Sequence, residues 1–130
     1  MDLSTKPIVA FFVFKSEYGV LMKQRGKYLG LPGDYLKDNE DVIDCAHRAL
    51  DRIAIVLKLD THNHIGGSES YTWDNQPVAI NIFDFREEDI VAPVHMDARY
   101  VDVNRTDIDF DITVHIYREI LLTGRIFIAA

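Results

Sequence analysis

Residues 29–57 read LGLPGDYLKDNEDVIDCAHRALDRIAIVL, and the rest of the chain is organised around them. Leu29, Gly30 and Leu31 close a strand, Pro32-Gly33 turns the chain, and a polar stretch runs on to Glu40. From there the apolar residues Ile43, Ala46, Leu50, Ile53 and Leu57 recur at three- and four-residue steps, the period of one helix face. The spacing therefore predicts a strand, a loop and a helix that carries all five.

Residue for residue, this stretch resembles the signature box of the Nudix hydrolases. The family pattern is a glycine, five free positions, a glutamate, seven free positions, Arg-Glu, an aliphatic, a free position, Glu-Glu, a free position, a glycine and an aliphatic. Leu31-Pro32-Gly33 matches the lead-in, Glu40 the first glutamate, Arg48 the arginine, and Leu50 and Val56 the aliphatics. The frame implies a Nudix-like α/β (α+β) fold, with a mixed β-sheet sandwiched between helices in a single domain spanning residues 1–130. It also implies the family's chemistry, cleavage of nucleoside diphosphates linked to another group with magnesium or manganese held by helix glutamates. That chemistry is where the chain departs from the pattern. The opening glycine slot holds Asp34, the three metal-binding slots hold Ala49, Arg52 and Ile53, and the closing glycine slot holds Ile55.

Magnesium prefers carboxylate oxygens in near-octahedral geometry. Alanine and isoleucine offer none, and Arg52 adds positive charge where a cation would sit. On a helix turning roughly 100° per residue, positions 49, 52 and 53 share one sector, while Glu40, Asp44, His47 and Asp51 form a stripe well over a right angle away. That stripe reads as a solvated face with an Asp44–Arg48 pair, or as a relocated metal site on Asp44, His47 and Asp51. Arg48, without the neighbouring glutamate that the resemblance implies it would steady, has Glu40 or Asp44 as its partner. Asp34 stands where the box glycine would let the backbone approach phosphate closely. Its carboxylate repels a diphosphate there. No cofactor is expected, magnesium or manganese being needed only if hydrolysis survives.

Length and composition agree with one domain. The 130 residues are 48% hydrophobic, with seven Phe and six Tyr, enough for a packed core. Cys45 is the one cysteine and has no internal disulfide partner. It reads as a semi-buried mid-helix thiol. A net charge of -7 weighs against general nucleic-acid binding, since phosphate neutralisation by Lys and Arg supplies most of that affinity. The sequence has neither the pattern of a signal peptide nor that of a membrane span, so the expected setting is the cytoplasm.

Working outward, residues 7–15 (PIVAFFVFK) and 19–25 (GVLMKQR) read as a hairpin turning at Gly19. Its second strand delivers Lys23 and Arg25 just ahead of the Pro32-Gly33 corner. The resemblance implies that a basic residue there faces the diphosphate; edge-strand solubility is the other account. Residues 60–73 read as two short extended pieces about Gly66-Gly67, with His62 and His64 on one face. Residues 78–86 (VAINIFDFR) form a buried strand. Tyr71, Trp73, Phe83 and Phe85 either line a cleft for a flat ligand or pack in the core. An acidic loop carries Glu87 and Glu88, which the resemblance marks, with Glu40, as the remaining candidate catalytic acids. A strand at residues 98–103 and a helix over residues 108–123 follow, the helix burying Ile112, Ile116, Ile120 and Leu121. The apolar segment 125–130 docks on the domain or on a second subunit.

The expected function is binding without hydrolysis, by a Nudix-like protein whose box has lost its metal ligands. The ligand is nucleotide-like, or the partner is a protein or RNA, with Lys23, Arg25, Arg48, Arg52, Trp73 and Phe83 as candidate contacts and a homodimer possible. No membrane partner is expected. The alternative is a divergent hydrolase working through Glu40, Glu87, Glu88 and His95, with Arg25 or Arg52 replacing part of the cation's charge.

Overall fold

The chain changes sheets at Phe14, and that change sets the architecture. In the computed structural model, which describes residues 7–51, 54–56, 62–71, 75–85, 91–93 and 98–123, β1 (Ile8–Val13) is followed by β2 (Lys15–Ser16) and β3 (Gly19–Arg25). β1 does not turn back on β3 as one arm of a hairpin. It pairs antiparallel with β5 (Gly33–Tyr35) and parallel with β8 (Pro77–Phe85), while only the two residues of β2 return along β3. The reason lies in burial: Ala10, Phe12 and Val13 have no solvent exposure, so β1 must be covered on both edges and both faces. Phe14 joins the two sheets. Its ring stacks on Phe85 with centroids 4.8 Å apart, and its carbonyl accepts from the Leu21 amide.

One four-stranded sheet runs β5-β1-β8-β7, where β7 is His62–Tyr71. A second runs β10-β3-β2, where β10 is Ala98–Val101, with β4 (Tyr28–Gly30) also paired to β3. The strands lie between two helices, α1 (Val42–Leu50) and α2 (Ile112–Thr123). Val9, Val13, Met22 and Ile80 pack with Val114, Tyr117 and Ile120 of α2. Ala10, Phe12, Leu21 and Phe85 pack with Cys45, Ala46 and Leu50 of α1. Successive side chains of a strand point to opposite faces, so β1 supplies both cores from alternate residues.

Several elements differ from the sequence reading. α1 stops at Leu50 instead of carrying Ile53 and Leu57, which lie outside the described residues. Asp41 caps its start by accepting from the Asp44 amide at 2.7 Å, and Asp51 ends it with an extended ψ of 132°. Beyond it, Ala54–Val56 forms β6 against β9 (Val91–Pro93). Ala54, Ile55 and Val56 occupy the last three positions of the box, including its closing glycine slot at 55, and there the pairing of β-branched Ile55 and Val56 in a strand wins over helical periodicity. The acidic loop is likewise interrupted by β9. Residues 62–71 are one strand, its register shifting between His64 and Gly66, because the long apolar β8 pairs it along its whole length.

α2 begins at Ile112, four residues after the expected start at residue 108. Phe110 instead bridges to Leu29, and the Leu29 amide donates to the Asp109 carbonyl at 3.0 Å. Ile120 is buried as expected, together with Thr113, Val114 and Tyr117, whereas Ile112 and Leu121 are 54% and 55% exposed. Among the described residues, no helix is long and apolar enough to cross a membrane.

Candidate functional site

Leu31 and Pro32, both buried, bring the chain to a corner that β5 leaves alongside β1. Gly33 is required there by close approach, since a Cβ would stand 2.4 Å from the Ala10 carbonyl oxygen. The next residue, Asp34, does not project a free carboxylate. Its Oδ2 accepts from Arg48 Nη1 at 2.6 Å and its Oδ1 from the Tyr35 amide at 2.7 Å.

Arg48 is the hub of this corner. Nε donates to Glu40 Oε2 at 2.9 Å, Nη2 donates to Glu40 Oε1 at 2.7 Å and to the Tyr35 carbonyl at 2.6 Å. A bidentate guanidinium–carboxylate pair of this kind is the strong, directional form of an ion pair. Of the two partners the sequence offers Arg48, Glu40 and the i, i+4 residue Asp44, it bonds Glu40, and Asp34 is added to it. The Arg48 hydrogen bonds hold the Glu40 carboxyl down at about 2, and Glu40 in turn raises the Arg48 guanidinium above its ordinary value. Cys45, buried beside them, is pushed up to about 11 chiefly by burial, with Glu40 adding to it. It is a poor nucleophile.

The donor set does not suit a divalent cation. Glu40 has one oxygen bound by Arg48 Nε and the other by Arg48 Nη2 and the Lys37 amide. Ala49, at the first metal slot of the helix, packs half-buried against the α1 core. α1 ends at Leu50 with Asp51 as its cap, and the slots at 52 and 53 lie outside the described residues. Among the described residues no three His, Cys, Asp or Glu side chains converge to hold a metal ion, Asp44, His47 and Asp51 included.

On the other side of Asp34, facing α2, lies a groove of about 290 Å³. Val9, Phe11, Val78, Ile80 and Ile112 line it with apolar surface, and Arg25, Asp34 and Tyr35 form its polar rim. Its volume is at the lower end of the roughly 300–1,000 Å³ typical of small-molecule sites. Arg25 is fixed there. Nη1 pairs with Asp111 Oδ2 at 3.0 Å, Nη2 donates to the Leu31 carbonyl at 2.6 Å, and Cζ stands 5.6 Å from the centre of the Phe11 ring. Asp111 also caps α2 by accepting from the Thr113 amide at 2.9 Å, and Thr113 Oγ1 accepts from the Leu31 amide at 3.0 Å. These bonds close a ring that ties the corner to the start of α2.

The structure brings together Arg25, at the groove, and Glu40 with Arg48, behind Asp34. Lys23 pairs through its backbone with Gly30 and Ala98 and is not among the residues lining the groove. Phe83 does not belong to the groove either. Its ring packs 6.2 Å from Phe12 and 5.1 Å from His64, on the α1 side of the sheet, whereas the groove opens on the α2 side beside Phe11. Arg52, Trp73, Glu87, Glu88, His95 and residues 125–130 lie outside the described residues. Phe11, Tyr35, Asp111 and Thr113 were not singled out from the sequence. An Asp two residues before a Thr at the start of an apolar helix is a cap signal that points to the last two. Nothing in the sequence pairs Arg25 with Asp111 across 86 positions.

No protein-family model matches the chain, and no curated protein matches it in sequence. Solved structures do match it in shape. A MutT Nudix hydrolase from Burkholderia pseudomallei superposes with a TM-score of 0.71 at 11% identity, over 88% of this chain and 97% of that one. A MutT protein from Bacillus halodurans gives 0.70 at 11% identity, over 92% and 85%. The C-terminal domain of mouse MUTYH, crystallised in complex with human PCNA, gives 0.65 at 15% identity, over 92% and 90%. At these identities what is shared is the fold.

Proposed function

We propose that this chain, whose fold is that of the Nudix hydrolases, is a binding protein that has given up hydrolysis and holds a nucleotide-like ligand in the groove beside Phe11 and Tyr35. One observation carries the reading: Arg48 occupies Glu40 and Asp34 at the corner where the fold's hydrolases place their chemistry. With Ala49, Arg52 and Ile53 in the metal slots, no carboxylate of the box is left to gather a cation. Without a cation there is no Lewis acid to polarise a phosphoryl oxygen and no bound water of lowered pKa. What persists is an apolar groove with a polar rim, the kind of surface that binds small ligands. Arg48 and Glu40 serve as structural residues that shape the corner, and Arg25 serves as a wall of the groove.

The fold also supports binding to macromolecules, as the MUTYH domain crystallised with PCNA illustrates. The concave, mostly apolar lining of the groove favours a small molecule here. The test is incubation of the purified protein with a panel of nucleoside diphosphate-linked compounds in magnesium or manganese, with products separated by chromatography. No turnover above a protein-free control is expected. Metal-dependent release of a nucleoside monophosphate that is lost on Glu40→Gln would contradict the reading.

A further inference from the structure

We propose that the groove selects a flat, uncharged heteroaromatic ring with an amino or N–H edge, an unphosphorylated nucleobase or nucleoside, and rejects the phosphorylated forms. The proposal rests on the groove being the binding site, and it concerns which chemistry the rim recognises. A phosphate at this rim needs a free cation, and among the described residues lining the groove the one cation is Arg25. Arg25 is held between Asp111 and the Leu31 carbonyl, and Arg48 between Glu40, Asp34 and the Tyr35 carbonyl. Arg25 is thus offset by Asp111, and Arg48 by Glu40 and Asp34, so neither guanidinium leaves an uncompensated positive charge for a phosphate at the rim. A diphosphate would add two or more negative charges without a divalent ion to offset them.

A neutral ring meets the opposite situation. Phe11 and the aliphatic residues Val9, Val78, Ile80 and Ile112 offer apolar faces. The Arg25 guanidinium, already steadied near Phe11, presents a flat surface for stacking. Asp34 supplies the directional contact. Its oxygens have about four acceptor sites, of which the Tyr35 amide and Arg48 Nη1 take two. The remaining capacity, on a side chain that is 42% exposed, suits an exocyclic amine or a ring N–H. Arg48 keeps this carboxylate oriented, which limits the entropy lost when a ligand docks.

The experiment is isothermal titration in EDTA with each common nucleoside and its 5′-diphosphate, on the wild type and on Asp34→Asn and Asp34→Gly. At least one nucleoside should bind, and its diphosphate should bind no more tightly, with the disadvantage growing as salt is lowered. Either Asp34 substitution should weaken the nucleoside about fivefold or more and narrow or reverse the gap to the diphosphate. Circular dichroism confirms that each variant is folded. A diphosphate binding the wild type ten times more tightly than its nucleoside would overturn this inference and leave the binding function standing. Failure of every nucleoside and nucleotide to bind would overturn both.

Discussion

Replacing Thr113 with valine tests whether the ring of hydrogen bonds between the corner and α2 holds the groove together. Thr113 is 2% exposed and Leu31 has no exposure, and the Leu31 amide donates to Thr113 Oγ1 at 3.0 Å. Valine keeps the shape and removes the acceptor. A buried amide left without a partner costs about 1–3 kcal/mol. Asp111 also loses the Thr113 hydroxyl that donates to its Oδ1, which adds to the loss. The expected destabilisation is about 2–4 kcal/mol, which for a chain of this size lowers Tm by roughly 10 °C. Urea denaturation followed by tryptophan fluorescence and far-UV circular dichroism measures it, the midpoint falling while the slope stays unchanged. Thr113→Ser keeps the hydroxyl and should remain within about 1 kcal/mol of wild type. A Thr113→Val protein as stable as wild type to within about 0.5 kcal/mol would refute the ring as a structural element.

Acidification provides a second check. Glu40 is held at about 2 against an ordinary 4.5, first by the Arg48 hydrogen bonds, so below pH 4.5 the unfolded chain takes up the proton before the folded one. The stabilisation from this pair is whole above pH 4.5 and is lost as pH falls towards 2. Denaturation at several pH values should show the wild type losing stability more steeply over that window than Glu40→Gln, and parallel curves would contradict the assignment. Gly30→Ala should disrupt the Arg25–Asp111 pair, because a Cβ would stand 1.8 Å from Asp111 Oδ2. Overpacking of this kind costs about 1–3 kcal/mol, and a thermal melt matching wild type would show that the clasp yields at no cost. Cys45, raised to about 11 by burial, should react with a disulfide reagent at pH 8 at least about a hundredfold more slowly when native than in urea. Equal rates would place the thiol at the surface.

The legible part of the molecule is local. Pro32-Gly33 and the Glu40–Arg48 pair lie within one short stretch, where turn chemistry and spacing act directly. The strands at 19–25, 78–86 and 98–103 were read close to their true bounds because apolar β-branched and aromatic residues mark them. Three things were not legible, each for a non-local reason. β6 displaced the end of the helix because Val91–Pro93 pairs with Ala54–Val56, a partner no helical period reveals. The faces of the sheet were ambiguous: alternation puts Phe11 and Phe12 on opposite sides, but only the placement of α1 and α2 decides which side is the groove. Phe83 consequently packs in the α1 core. For Arg25 or Lys23 the resemblance implies a phosphate contact, with edge-strand solubility as the other account; the pairing of Arg25 with Asp111 depends on where the last helix begins, beside the Phe110–Leu29 bridge.

The central claim is that the fold persists without its metal chemistry, and metal titration tests it most directly. Purified protein is titrated calorimetrically with magnesium and with manganese, alone and together with a nucleoside and its diphosphate. No saturable one-site metal binding is expected, and the nucleoside affinity should be the same in EDTA as in either metal. Stoichiometric binding of magnesium or manganese that diphosphate binding requires would contradict it, because carboxylates beyond Glu40 would then have to assemble a cation site.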